Sequence, residues 1–274
     1  MWTRVAAGVP AALVLIGITY WAPVYVILGI SVLCASFAYI EFSHLLLEPI
    51  PLYRQGLNFV LLAAMILAVQ QGSEAPWNLF LISAIIFSLL RVASASDHKN
   101  LKNEVSQLAL ELLGLFYVLC LFGFIAPIAE VGNRGRHYLL LFFLTCFMSD
   151  TTAYFVGSKW GKKRLAPTVS PNKSIQGAFA GIIASLLVRG IWVVCVDKGE
   201  RGTSYFLAIL LWGFIGSVLG QLGDLFESML KRACAQKDSG SFLPGHGGIL
   251  DRIDCFFFAG PIFYLFLVYF LENP

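Results

Sequence analysis

Long apolar runs follow one another through almost the whole chain, and this succession limits the possible folds more than any other feature. A run of about 18 apolar residues or more is long enough to cross the hydrocarbon core of a bilayer as a helix. In that core every backbone N–H and C=O must be paired within the protein, which leaves helices and closed barrels. A barrel would show alternating segments of ~10 residues, and this sequence has none. Nine apolar segments can be drawn, roughly at 5–20, 24–47, 57–71, 78–96, 105–128, 137–157, 176–196, 204–230 and 255–271. The division between the first two, around Trp21-Ala22-Pro23, is the least certain. Mean hydropathy is +0.77 and 13% of residues are charged, against about 25% in a soluble domain. The expectation is an all-α, polytopic integral membrane protein with about nine transmembrane helices. The first segment imitates a signal peptide, but spans follow at once and no A-x-A cleavage site appears, so an uncleaved first helix is expected.

Charge sets the orientation. A net charge of +3 is too small to argue for nucleic acid. Fourteen of the nineteen basic residues fall on one set of loop ends, four on the other (Arg134, Arg136, Lys198, Arg201), and Arg189 lies within a span. The positive-inside rule makes the richer side cytoplasmic. Both long polar loops, 158–175 and 231–254, then face the cytoplasm. The chain divides into N-terminal spans, 1–145, and a C-terminal region, 146–274, that carries those loops. The six cysteines form no C-x-x-C pair, so neither a zinc site nor a disulfide framework is indicated.

Acids inside apolar segments mark functional candidates, because burying an ionisable group is expensive. Asp150 lies in F-M-S-D-T-T-A-Y-F-V-G, and Asp224 and Glu227 lie in G-Q-L-G-D-L-F-E-S-M-L-K-R. On a helix Asp224, Glu227, Ser228 and Lys231 share one face. Internal ion pairing of Glu227 with Lys231 is the plainer alternative. Glu41 and Glu111 stand apart, and a structural hydrogen bond to a neighbouring helix is expected of each. Gly213, Gly216, Gly220 and Gly223 form a small-residue face, suited either to close helix packing or to a ligand.

The segment K-D-S-G-S-F-L-P-G-H-G-G-I-L-D-R-I-D, 237–254, is the most polar part of the chain. Asp251 and Asp254 share a face of a helical turn and, with Asp224, offer three hard oxygen ligands of the kind Mg²⁺ takes. The P-G-H-G-G turn lets backbone N–H groups approach an anion. Lys231, Arg232, Lys237 and Arg252 add positive charge. Carboxylates, glycines and cations together fit phosphoryl or nucleotidyl transfer. A solvated loop with a cap at Asp251 is the alternative. The other loop, from Gly157, looks like a nucleotide P-loop but is one residue short and has Lys163 where Ser or Thr is needed. Asn172-Lys173-Ser174 matches a glycosylation sequon on the side expected to be cytoplasmic, and is read as accidental.

Ser228 to Asp254, S-M-L-K-R-A-C-A-Q-K-D-S-G-S-F-L-P-G-H-G-G-I-L-D-R-I-D, resembles the signature of the phosphatidate cytidylyltransferases, or CDP-diacylglycerol synthases. The segments D-T-T-A-Y-F-V-G-S-K-W-G-K, S-P-N-K-S and G-Q-L-G-D-L-F-E-S are also similar to family segments, so the likeness covers about 150–254. It implies transfer of CMP from CTP to phosphatidate, giving CDP-diacylglycerol and pyrophosphate with Mg²⁺, and K⁺ as a second ion. It implies a polar, membrane-embedded cavity open to the cytoplasm, and a homodimer. Separately, the shortness of the chain leads to the expectation of a bacterial inner membrane. The resemblance places the metal on Asp224, Asp251 and Asp254, with Lys237 also catalytic. It assigns substrate binding to Asp150, Lys173, Glu227, Ser228, Lys231, Arg232, Asp238, His246, Gly247, Gly248 and Arg252. Two departures stand out: Gln176 replaces a usual Glu, and Cys255 a common Ser. A kinase or synthase acting on another lipid phosphate shares the chemistry. A CDP-alcohol phosphotransferase is disfavoured because no D-G-x-x-A-R segment occurs. A transporter would account for intramembrane acids but not for the basic, glycine-rich loop.

Overall fold

The computed structural model describes residues 14–71, 75–94, 101–197, 202–240 and 247–271. Residues 14–21 form helix α1. Then come α2 (Val24–Leu46), α3 (Leu52–Gln70), α4 (Ala75–Ser94), α5 (Leu101–Phe122), α6 (Ile125–Glu130), α7 (Gly135–Trp160), α8 (Ile175–Cys195), α9 (Gly202–Ala233), α10 (Leu250–Ile253) and α11 (Phe256–Phe266). A 3₁₀ turn, Gly132–Arg134, precedes α7, and a π-helical turn, Leu267–Leu271, continues α11. The strands among the described residues are β1 (Arg164–Ala166) and β2 (Ser170–Ser174), an antiparallel hairpin between α7 and α8.

The protein is an all-α polytopic membrane protein. Seven helical segments among the described residues are long and apolar enough to cross a membrane, and they match seven of the nine drawn from the sequence. The last of the nine is helical but shorter, Phe256–Phe270. The first lies mostly outside the described residues, with its end helical in α1. The division at Trp21–Pro23 stands: helix stops at residue 21, and Pro23 is the N-cap of α2. Proline disfavours helix in the residue before it and supplies no N–H, so it starts a helix better than it continues one.

Aromatic stacking joins the late helices to the early ones. Phe142 of α7 and Trp212 of α9 stack on Phe263 of α11, with ring centroids 5.5 and 5.0 Å apart. Tyr117 of α5 packs edge-on against Phe257, 4.6 Å away, and touches Phe226 of α9 at 5.7 Å. Arg189 is buried in α8 with its guanidinium over the rings of Trp212 and Phe263, at 5.6 and 5.2 Å, where the ring faces attract the cation. The small-residue face of α9 serves packing. The Arg189 side chain lies against Gly213, and the backbone at Asp254–Cys255 lies against Gly220 and Gly223.

A separate polar knot binds the first helices. Glu111 of α5 is fully buried and forms an ion pair with Arg54 of α3. It also accepts from Asn58 Nδ2 at 3.1 Å, and Arg91 of α4 stands 3.7 Å away. Glu111 therefore has the interhelical role expected of it. Removing one partner of a buried pair leaves an uncompensated charge. Glu111→Leu should destabilise the bundle by about 3–5 kcal/mol, read as a lower unfolding midpoint in detergent, and Arg54→Met in the same chain should restore most of the loss.

Candidate active site

The site is assembled at one end of α9. This helix has 32 residues, which at 1.5 Å each is roughly 48 Å, well beyond a hydrocarbon core of about 30 Å. It is long enough for its final turns, from Asp224 on, to extend past such a core. Asp224 and Glu227 lie there, one turn apart on the same face. Asp254, at the end of α10, completes a cluster: one oxygen from each of the three carboxylates lies within 4.8 Å of the others. Gly223 makes the approach possible, since a Cβ there would run into the Asp254 carbonyl.

Two lysines hold these acids. Lys173 of β2 forms an ion pair with Asp224. Lys231, one turn beyond Glu227, donates to Glu227 Oε2 at 2.6 Å and to Asp251 Oδ1 at 2.5 Å. Both readings of Glu227 thus apply: it pairs with Lys231 and also belongs to the acid cluster. Glu227 Oε1 is buried and has no hydrogen-bond partner among the described residues. Ser228 Oγ stands 3.5 Å from Asp224 Oδ1. Asp150 sits in α7 close enough to act on Asp254 electrostatically, and beside it Ser149 and Ser217 link α7 to α9 through a 2.9 Å hydroxyl contact. Burial holds Asp254 well above the ordinary carboxylate range. The charges of Asp224, Glu227 and Asp150 push the same way, and Lys173 opposes them.

Asp251 goes elsewhere. Its Oδ2 accepts from Ser239 N, Ser239 Oγ and Gly248 N, each at 2.9 Å. Burial pulls its pKa upward, but the hydrogen bonds from Lys231, Gly248 and Ser239 outweigh that and hold it below the ordinary value. Of the three aspartates grouped from the sequence, the structure brings Asp224 and Asp254 together and puts Glu227 in the place expected of Asp251. The backbone stays helical through Asp254 and Cys255, so the separation is not a break in the helix. Lys231, Ser239 and Gly248 take both oxygens of Asp251, and the cluster receives Asp254 alone of the pair.

The remaining candidates line the approaches. Arg232 donates to Val169 O at 3.4 Å and Gln236 O at 3.0 Å, tying the end of α9 to the β-hairpin. The two polar loops thus meet. Lys237 and Asp238 are exposed and, with His44, Gln236, Ser239 and Gly240, line a polar cavity of about 430 Å³. Arg252 is exposed on α10, and Gly247 takes a left-handed φ of 79° beside Asp251. His246 lies outside the described residues. A second cavity, about 460 Å³ between α4, α5 and α11, is lined by Phe116, Phe257, Pro261 and other residues without charge. It offers nothing to a phosphate.

Sequence reasoning missed several organisers of the site. Glu41 of α2 accepts from Ile249 N at 2.9 Å, Leu250 N at 3.0 Å and Ser239 Oγ at 3.3 Å. Only its place as a lone acid in an apolar run marked it out. Gln176, which replaces a usual Glu, accepts from Lys162 N at 3.1 Å and Lys163 N at 3.3 Å through its amide oxygen. That is a task a carboxylate would also perform. Ser174 caps α8, its Oγ accepting from Gly177 N at 3.1 Å.

The donor set is all carboxylate oxygen, held by two cations at a membrane edge, with one buried oxygen unpartnered. Such a set suits a hard divalent ion and phosphate groups. It marks a membrane-embedded enzyme of phosphate chemistry. Residues 2–270 match the model of the cytidylyltransferase family, and the chain belongs to that family. Among similar proteins, the phosphatidate cytidylyltransferase of Staphylococcus haemolyticus is 38% identical over 207 residues, 75% of this chain and 76% of that protein. That of Bacillus subtilis is 39% identical over 158 residues, 58% and 57% of the two chains. That of Staphylococcus saprophyticus is 43% identical over 139 residues, so the match spans about half of each, 51% and 52%.

The lowered pKa of Asp251 has a testable consequence. A carboxylate whose folded value lies below its unfolded value of ~3.9 stabilises the fold fully above that pH. The contribution is lost only as pH falls through the lower, folded value. The stability difference between wild type and Asp251→Asn should therefore shrink as pH falls below about 4, as read by thermal unfolding in detergent.

Proposed function

We propose that this protein is a phosphatidate cytidylyltransferase that makes CDP-diacylglycerol and pyrophosphate from phosphatidate and CTP at the cytoplasmic face of a bacterial inner membrane. The observation that carries the reading is the convergence of Asp224, Glu227 and Asp254 with Lys173 and Lys231 at the end of a spanning helix, in a chain of the cytidylyltransferase family. Such a site meets a water-soluble nucleotide from one side and a bilayer-held lipid from the other. The excess of Lys and Arg on the loops that form it supports the cytoplasmic placement.

The reaction needs positioning and charge neutralisation more than covalent help. An oxygen of the phosphatidate phosphate forms a bond to the α-phosphorus of CTP. The bond from that phosphorus to the bridging oxygen breaks, and pyrophosphate leaves with the electron pair. Mg²⁺, held by Asp224, Glu227 and Asp254, would supply charge neutralisation for the phosphates. Lys173 and Lys231 stand where they neutralise the acids and can turn to phosphate oxygens. Lys237 offers a further cation in the 430 Å³ polar cavity, and Arg232 and Arg252 add positive charge on the neighbouring α9 and α10. Asp251 fixes Lys231 and the turn at Gly248 rather than holding the ion. The family likeness also carries a homodimer and K⁺ as a second ion, open to mass measurement in detergent and to K⁺ titration.

Purified protein in detergent should release pyrophosphate only with CTP, phosphatidate and Mg²⁺ all present, and EDTA should abolish release. Asp254→Asn should lower the rate by about 10²–10³-fold, the size seen when one preorganised electrostatic contact is lost. Glu227→Gln should raise the Mg²⁺ needed for half-maximal rate, whereas Asp251→Asn should lower the rate with that requirement little changed. Folded protein that releases no pyrophosphate would sink the reading. A Mg²⁺ shift confined to Asp251→Asn would move the ion to the Asp251 side.

A further inference from the structure

We propose that Glu41 is a positioning residue of the transfer site: from α2 it clasps the residues on both sides of 241–246 and so sets where Asp251 and Asp254 stand. The proposal rests on the transferase reading above and adds a residue from the first half of the chain to its machinery. Glu41 is buried, at 8% exposure. Its Oε1 accepts from Ile249 N at 2.9 Å, and its Oε2 accepts from Leu250 N at 3.0 Å and from Ser239 Oγ at 3.3 Å. The donors come from both sides of the loop, about 200 residues away in sequence. Ser239 precedes it, and Ile249 and Leu250 follow it. Ser239 N donates to Asp251, and the single Ser239 hydroxyl proton is shared between Asp251 Oδ2 at 2.9 Å and Glu41 Oε2 at 3.3 Å, so this residue links the two carboxylates.

Two glycines make the clasp possible. A Cβ at Gly240 would come within 2.9 Å of Glu41 Oε1 and 3.0 Å of its Cδ, and one at Gly248 would collide with Glu41 Oε2 and Ser239 Oγ. The glycine-rich composition of this loop therefore serves a carboxylate of the protein itself. The backbone N–H groups of Ser239, Gly248, Ile249 and Leu250 go to Glu41 and Asp251. Charge-assisted bonds of this kind are short and directional. They fix α10 by its first turn, and Asp254 follows that helix by one residue. Glu41 stands outside the acid cluster and bonds to the backbone and serine that carry Asp251, so it acts through them.

The test uses full-length protein in detergent carrying Glu41→Gln, Glu41→Asp or Gly240→Ala. Glu41→Gln keeps shape and one acceptor but loses the charge. Folded variant should show faster hydrogen exchange at the Ile249 and Leu250 amides. Its kcat for pyrophosphate release should fall about 10- to 100-fold, the size expected when hydrogen bonds to a charged group are lost, with KM for phosphatidate little changed. Glu41→Asp, which retains the charge at shorter reach, should be intermediate. Should Glu41→Gln fail to fold, Gly240→Ala presses on the same carboxylate from the loop side and should give the same pair of changes. A folded variant with wild-type kcat, or with wild-type protection of the two amides, overturns the proposal. Wild-type protein that releases no pyrophosphate overturns the transferase reading instead, and the exchange arm then still decides whether Glu41 holds the loop.

Discussion

The cost of placing a charge in an apolar interior governs this molecule. Each buried acid has a specific answer to it. Glu111 has Arg54, and Asp197 has Arg134 at 2.5 Å and the Tyr205 hydroxyl at 2.9 Å. Glu41 has backbone N–H groups and a serine. Each answer joins segments distant in sequence, so the pairs also fix how the helices stand. Among the acids described above, those of the cluster are the ones for which the cost is met only in part. Three carboxylates share two lysines there, and one buried oxygen is left over. Polar groups left unmatched inside a protein point to chemistry when a ligand can complete them.

The spans were legible because the bilayer imposes a length and a composition that a single sequence shows directly. Seven of the nine segments coincide with long helices, and Pro23 and Pro51 stand at the caps of α2 and α3 as their missing N–H groups require. The β-hairpin of 164–174 was not legible. Its strands have three and five residues, too short for any alternation to register, and its register is held from outside by Gln176 and by the end of α9.

In the site, helical periodicity placed Asp224, Glu227 and Lys231 on one face, because they lie on one unbroken helix. The same rule misled at Asp251. The helical backbone does continue from Asp251 to Asp254, but periodicity says nothing of partners, and Lys231 and the N–H groups of Ser239 and Gly248 take that carboxylate. Glu41 shows the limit more sharply. Its side chain stands out in A-Y-I-E-F-S-H, but its partners lie some 200 residues downstream, and no local pattern encodes them. Gln176 shows the converse. Its departure from the family residue put a role in doubt, yet the amide oxygen keeps the backbone bonds that hold the hairpin.

Helix α9 runs unbroken from Gly202 to Ala233, and this gives the protein a fixed ruler against its membrane. The distance from the far end of the helix to Asp224 is set by residue count, roughly 33 Å at 1.5 Å per residue. A bilayer that matches this length brings lipid phosphates level with the acids. A thicker one submerges them, and a thinner one lifts them clear, unless the helix tilts. The depth of the three acids relative to the lipid phosphates is therefore tied to membrane thickness, and so to the length of the acyl chains around the protein.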